Sequence, residues 1–552
     1  MSTGSADLVV TGGPVHTGIP GERAEGFAVR NGRIVAVGTA GEVDAWCGPG
    51  TRRLDLAGRL AVPGLIDGHI HLGIGGTQLA LELPLLPTDG PDEVLTKVRD
   101  WAGRLEPDEW IVGGILGSGT YAALNSREML RRLDEASLGH PVLLRDDTMH
   151  NRQVNSAALA AMGVDDTTPD PPGGTYARDA DGRLTGALWE LTSTRAEEAA
   201  KSAQRDPHGR LMTALRAALE RTRRIGYTSL QDAATMEHHL AALQDLERSG
   251  DLPAWIVASM PARDFLEAGA VGEELFAQAP QYRSEQIRPD FVKFVIDGVP
   301  TTRTTALLHP YRCHHDSEDS EFRGTPYWSL DELTAGLRRC AELGLGAKIH
   351  ATGDASVRLA LDAAAIVRKD PGPQPIIQIA HMSFIAPEDL PRFAELDVYA
   401  DACPFLWHPS PLFDAVAHQV PTETMDRIWP FKDLLATGAV VAGGSDWPVG
   451  LPELNPWLGI ETMVTRGAPE EQGDPRRINP EQAITREQAV AAFTSASARA
   501  LGIDDRTGAL RPGLSADFLV LDRNIFEVPA TEIHRTGVDE TYFRGECVHS
   551  RG

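Results

Sequence analysis

The sequence predicts an α/β fold: a (β/α)8 TIM-type barrel, with a composite β-sandwich domain built from both termini and a subdomain inserted after strand 1. Three observations predict it. Eight short apolar runs of β-type residues recur through the middle of the chain, with helical patterns between several of them, as repeated βα units require. The first sixty and last fifty residues consist instead of short strand-like runs separated by turns. The stretch from roughly 75 to 220 is too long for one βα connection and carries strand-like runs of its own.

Residues 1–60 read as the first part of the sandwich: DLVVTGG, GFAVRNGRIVAVG and RRLDLAGRLAVPG. Asn31-Gly32 between two apolar runs predicts a hairpin, because both residue types accept the positive φ of a primed turn. Residues 61–490 are assigned to the barrel. Its strands are expected in LAVPGLIDGHIH, GYTSLQDAA, AWIVASM, DFVKFVIDG, LGAKIHATGD, PIIQIAHMS, DVYADACPF and AVVAGGSDWP. Between the fourth and fifth, SLDELTAGLRRCAELG predicts a helix with Ser329 as N-cap and Gly344 just past its end. The insertion holds two strand-like runs (EWIVGGILG, HPVLLRDD), a helix (NSREMLRRLDEA) and a turn-rich stretch, TTPDPPGGTYARDADGRLTG; a lid is one role for it. Residues 491–552 supply a C-terminal helix and the second part of the sandwich, ADFLVLDR and TGVDETYFRGECVH, with a turn at Arg544-Gly545-Glu546.

With 78 acidic against 52 basic residues the formal charge is −26, which argues against nucleic acid or an anionic membrane as partner. Cys47, Cys313, Cys340, Cys403 and Cys547 are odd in number and form no CxxC, so neither a disulfide framework nor a thiolate zinc site is expected. The N-terminus lacks the basic and apolar regions of a secretory signal, and no run of about 18 apolar residues occurs. These features lead to the expectation of a cytoplasmic protein acting on a small molecule, with a homodimer left open.

Six residues of metal-site type stand in order at or beside the ends of the apolar runs: His69, His71, Lys293, His350, His381 and Asp446. A parallel barrel would deliver them all to one mouth. His69 and His71 are i and i+2 on a strand, so both can face one ion. Imidazoles suit zinc and similar divalent ions. Asp446 can bind metal through one oxygen and act as general base, then general acid, through the other. Each has a plainer reading alone: core or surface histidines, a turn aspartate, and for Lys293 a salt bridge to Asp297 or Asp232. A lysine ammonium cannot ligate a cation, whereas its carbamate could. Together the six point to a metal-dependent hydrolase.

PGLIDGHIHL, VKFVIDG, IHATGD, IAHMS and GSDWPV together resemble the amidohydrolase superfamily, in particular its YtcJ-like branch, amidohydrolase family 3, which includes N-substituted formamide deformylases. The resemblance spans nearly the whole chain, including NGRIVAVG, TGALRPGLSADFLVLDRNIF and, within the insertion, HNRQVNSAALAAMGV and PPGGTYARDADGRLTGALWE. It implies one or two divalent ions, zinc being the expected identity. His69, His71 and Asp446 would bind the more buried ion, His350 and His381 the second, and carbamylated Lys293 would bridge them. It further implies substrate contacts from His150 and Arg303. This branch usually has an Asp-Gly-His-type turn where this chain reads Asp147-Thr148-Met149-His150. The expected reaction is hydrolysis of a non-peptide C–N bond, that of an N-substituted amide or formamide. The alternatives are another reaction at the same site (lactonase, deaminase, decarboxylase or isomerase) and a non-catalytic scaffold.

Trp447, with Trp189, Trp328, Trp407 and Trp429, could line an aromatic substrate pocket or pack barrel against helices; Trp447 is taken as a substrate contact. Cys313-His314-His315-Asp316 reads as a solvated loop rather than a metal cluster. GGILGSG lacks the setting and lysine of a phosphate loop.

Overall fold

The computed structural model describes residues 4–264, 269–313, 319–449, 453–469 and 476–551. Eight strands, paired in chain order, form the central sheet: β1 (Leu65–Ile70), β2 (Tyr227–Asp232), β3 (Trp255–Pro261), β4 (Ile287–Val295), β5 (Gly346–Ala351), β6 (Ile377–His381), β7 (Val398–Ala402) and β8 (Val441–Gly443). Every pairing is parallel. These are the eight expected runs. Buried on both faces, they read as nearly continuous apolar stretches. The segment after β8 returns to β1, where Asp446 N–H donates to His69 O at 2.7 Å and His71 N–H to Trp447 O at 2.9 Å. This brings the two ends of the sheet together, as in a TIM-type barrel. The helix after β4 spans Leu330–Leu343; Ser329 and Glu332 form a capping box, and Gly344 has φ 68°. Among the described residues no helix is long and apolar enough to cross a membrane.

The termini build two further sheets. Leu8–Thr11, Gly26–Arg30, Arg33–Gly38 and Arg52–Asp55 form one. In the other, Phe518–Leu521 pairs antiparallel with Leu60–Pro63 and with Val538–Phe543. Asn31 and Gly32 (φ 51° and 72°) and Arg544 and Gly545 (φ 54° and 77°) make the hairpin turns. The two tips meet at Ala516, whose N–H donates to Gly32 O and whose carbonyl accepts from Gly545 N–H, both at 2.9 Å. Phe518 stacks on Tyr542 and meets Phe27 edge-on, so residues from both ends share one apolar core.

Between β1 and β2, α1 (Leu72–Leu81) leads into a six-stranded mixed sheet, and α2 (Leu191–Ser202) and α3 (Pro207–Arg224) lead back. The stretch read from sequence as turn-rich contains a β-hairpin: Gly174–Arg178 pairs antiparallel with Leu184–Glu190. The Asp179–Arg183 tip between them is a turn, closed by the Asp179 N–H to Arg183 O bond at 2.9 Å. The density of Pro, Gly and Asp in the sequence hides the alternation of the flanking residues.

Candidate metal centre

The rim formed by the C-terminal ends of the strands gathers the six residues. His69 is on β1 and His71 directly follows it, Lys293 is in β4, His350 in β5, His381 ends β6, and Asp446 lies just beyond β8. Asp446 is the point of convergence. Its Oδ1 lies 3.4 Å from His71 Nε2 and 3.6 Å from His69 Nε2, and its Oδ2 lies 3.6 Å from His381 Nδ1. These separations exceed good hydrogen bonds; the groups converge without satisfying one another. His381 and Asp446 have φ of 71° and 58°, left-handed conformations held by the surrounding structure.

The donor set fits a divalent cation. Potential ligand atoms of His69, His381 and Asp446 all lie within 4.8 Å of one another. Burial, with Lys293 nearby, holds the His69 imidazole well below its usual pKa and His350 at about 3; burial and His350 do the same to His381. These histidines are therefore neutral near pH 7 and offer lone pairs. His71 Nδ1 is buried without a hydrogen-bond partner among the described residues. His350 stands beside the cluster, its ring centroid 4.5 Å from that of His381 and its Nε2 3.2 Å from Gly298 O.

Lys293 Nζ lies 3.2 Å from His69 Nε2. Burial, then the nearby Lys348 charge, lowers its pKa to about 8. The salt bridge to Asp297 or Asp232 allowed by the sequence does not form among the described residues. Asp297 accepts instead from the N–H groups of Thr352, Gly353 and Ala306, and Asp232 from Leu72 N–H and the Thr235 hydroxyl.

Two residues of the site escaped the sequence reading. Asp401 in β7 places Oδ2 2.7 Å from His69 Nδ1, and Lys348 in β5 donates to Asp401 and, at 2.9 Å, to Gly68 O. A carboxylate on the far ring nitrogen sets the tautomer that leaves Nε2 free to bind. One signal was available: Lys348 and His350 are i and i+2 on a strand, hence on one face.

A cavity of about 130 Å³ opens on this centre, lined by His71, Lys293, His350, His381 and Asp446 together with Thr148–His150 and Trp429. Of the three expected substrate contacts, only His150 lines it, with Nδ1 3.0 Å from Glu190 Oε2. Arg303 is turned away, its guanidinium over the rings of Tyr311 and Phe322 at 5.4 and 5.3 Å. Trp447 is buried against α1, where a Cβ at Gly75 would come within 2.1 Å of its ring. His314, His315 and Asp316 lie outside the described residues.

The sequence model of the Amidohydrolase family matches residues 52–549. The putative amidohydrolase YtcJ of Bacillus subtilis is 25% identical, over 98% of this chain and 99% of its own. The protein LONG AFTER FAR-RED 3 of Arabidopsis thaliana is 30% identical, over 99% of this chain and 92% of its own. An N-substituted formamide deformylase of Arthrobacter pascens is 25% identical, over 96% and 95%. Among solved structures, an uncharacterized metal-dependent hydrolase of Pyrococcus horikoshii superposes with a TM-score of 0.75 at 22% identity, covering 95% of this chain and 99% of that one.

Proposed function

Because the chain belongs to the amidohydrolase family, we propose that it is a metal-dependent hydrolase of non-peptide C–N bonds whose substrate is an N-substituted amide or formamide. The observation that carries this reading is the convergence of His69, His71 and His381 on the Asp446 carboxylate inside a cavity. The substrate class is supported by the formamide deformylase among the relatives. His69, His71 and Asp446 would hold one divalent ion; His350 and His381 would hold a second, with Lys293 as its carbamate between them. Zinc suits this donor set, and such an ion supplies Lewis acidity toward a carbonyl and acidifies water.

The protein's own groups do the rest. A carboxylate oxygen of Asp446 accepts the proton of the attacking water and later delivers it to the departing nitrogen, so that the C–N bond breaks with a neutral amine leaving. Asp401, itself held by Lys348, keeps His69 in the tautomer with Nε2 toward the centre. The Glu190 contact at Nδ1 of His150 leaves that ring's other nitrogen for the substrate's carbonyl oxygen. The lowered pKa of Lys293 keeps an appreciable neutral fraction able to react with carbon dioxide.

Elemental analysis of protein purified without chelator tests the reading, with His69→Ala alongside. One to two equivalents of a divalent ion, lost in the variant, together with release of amine and formate from N-substituted formamides, are expected. Metal-free protein that stays metal-free after supplementation would refute it.

A further inference from the structure

At about 130 Å³, the cavity at the metal centre is smaller than the roughly 300–1,000 Å³ usual for sites that enclose a small organic ligand. It has room for the reacting carbonyl and little more. Two larger spaces adjoin it. One, of about 730 Å³, shares Thr148 and Thr301 with it and has Ser118, Asp146, Thr175 and Gln419 among its lining residues. The other, of about 440 Å³, lies between α1, α2, α3 and the inserted sheet, and shares a single lining residue, Met149, with the metal-centre cavity.

This second space offers an apolar wall from Ile74, Leu81, Val112, Ala200 and Leu211, beside charged and polar residues that include Lys201, His208 and Arg210. The charges in its inner wall are paired: Arg145 bonds Glu82 and Glu197, and Arg152 bonds Glu197 at 2.6 Å. Two positive and two negative groups that satisfy each other leave that wall without net charge.

Met149 stands where the two spaces meet. Its Sδ accepts from Gln78 Nε2 of α1 at 3.7 Å, and its carbonyl is held by Arg152 Nη1 at 2.8 Å. Its φ is 62°, a left-handed conformation that is strained for a residue with a side chain. Glycine would adopt this backbone freely but would put no side chain between the two spaces, both of which Met149 lines. An unbranched thioether in that position is a wall with three rotatable bonds.

We propose that the 440 Å³ space is the subsite for the apolar N-substituent of the substrate, and that Met149 controls access to it from the metal centre. The inference rests on the hydrolase reading above, which places the small acyl group at the metal centre and the larger substituent elsewhere. The 730 Å³ space on the Thr148 and Thr301 side is then the approach from solvent.

The test compares kcat/KM for N-benzylformamide with that for N-methylformamide in the metal-loaded wild type, Met149→Ala, Leu81→Trp and Thr301→Trp. Widening the wall with Met149→Ala is expected to raise the benzyl-to-methyl ratio about tenfold, and filling the space with Leu81→Trp to lower it about tenfold, the scale of small volume changes in an apolar pocket. A ratio unmoved by both, or moved only by Thr301→Trp, would overturn the proposal. Calorimetric binding of benzyl alcohol, a neutral apolar probe, gives a readout independent of turnover. Binding weakened by Leu81→Trp is expected. Wild-type protein that hydrolyses neither formamide but shows this loss would refute the reaction and keep the subsite; binding indifferent to Leu81→Trp would refute the subsite.

Discussion

The site has a half carried on barrel strands and a half carried on the turn of the insertion, and the two are held by different forces. His69, Lys293, His350 and His381 are in β-strands whose neighbours are apolar and buried, so the hydrogen-bond ladder and packing of the barrel set their positions. Met149 and His150 sit in a turn between Val142–Asp146 and Asn151–Val154. There the restraint is a buried network of charges: Arg145 and Arg152 around Glu82 and Glu197, with Arg152 also holding the Met149 carbonyl. Burial opposes the charge on Glu197, but Arg145 and Arg152 outweigh it and hold the carboxyl at about 2. A strand-borne group should therefore be replaceable without loss of structure, whereas a turn-borne group depends on every member of its network.

The largest effect expected is on chemistry alone. Asp446→Asn should lower turnover by about 10²–10⁴-fold, the scale of a lost general acid–base, while the thermal transition stays near that of the wild type. A variant with near-normal activity would remove Asp446 from the mechanism. Glu197→Ala should show the opposite pattern. It leaves two buried guanidinium groups short of a partner, at a cost of about 3–5 kcal/mol, read as faster amide exchange in the insertion while the barrel strands stay protected. Uniform exchange across both would break the distinction between the halves. Asp401→Asn should weaken metal affinity by about 10–100-fold, measured by competition with a chelator.

The smallest effect is a pH dependence of the turn. Burial works against the His150 imidazolium, yet the hydrogen bond and charge of Glu190, aided by Asp146, outweigh it and raise the pKa above its ordinary 6.5. A raised folded-state value stabilises the folded form fully below pH 6.5 and loses that contribution as pH rises through the higher value. Thermal midpoints of the wild type should fall over that window relative to those of Glu190→Gln. Parallel pH profiles would show that the pair contributes nothing.

The same division explains what could be read from the chain itself. The eight barrel strands and the residues at their ends are legible because a buried parallel strand is a short apolar run and its polar side chain stands at or near the run's end. Asp401 and Lys348 are not, because each lies inside such a run and its partner is on another strand, a pairing that only the register of the sheet reveals. Arg303 is expected from the family resemblance and Trp447 from its place beside a strand end, and their side chains meet aromatic and helical neighbours. Nothing local marks Met149 as a boundary between cavities, since the second cavity is formed by segments more than a hundred residues apart.

The pairing of Leu60–Pro63 with Phe518–Leu521 has a consequence for how the chain is made. At a synthesis rate of roughly 5–20 residues per second, the first of these strands waits on the order of half a minute or more for its partner to leave the ribosome. Through that interval it carries an unpaired edge directly upstream of the β1 segment that bears His69. Strands translated late thus seal the foundation of the barrel, and a chain stopped short of residue 518 would present an open β-edge beside His69.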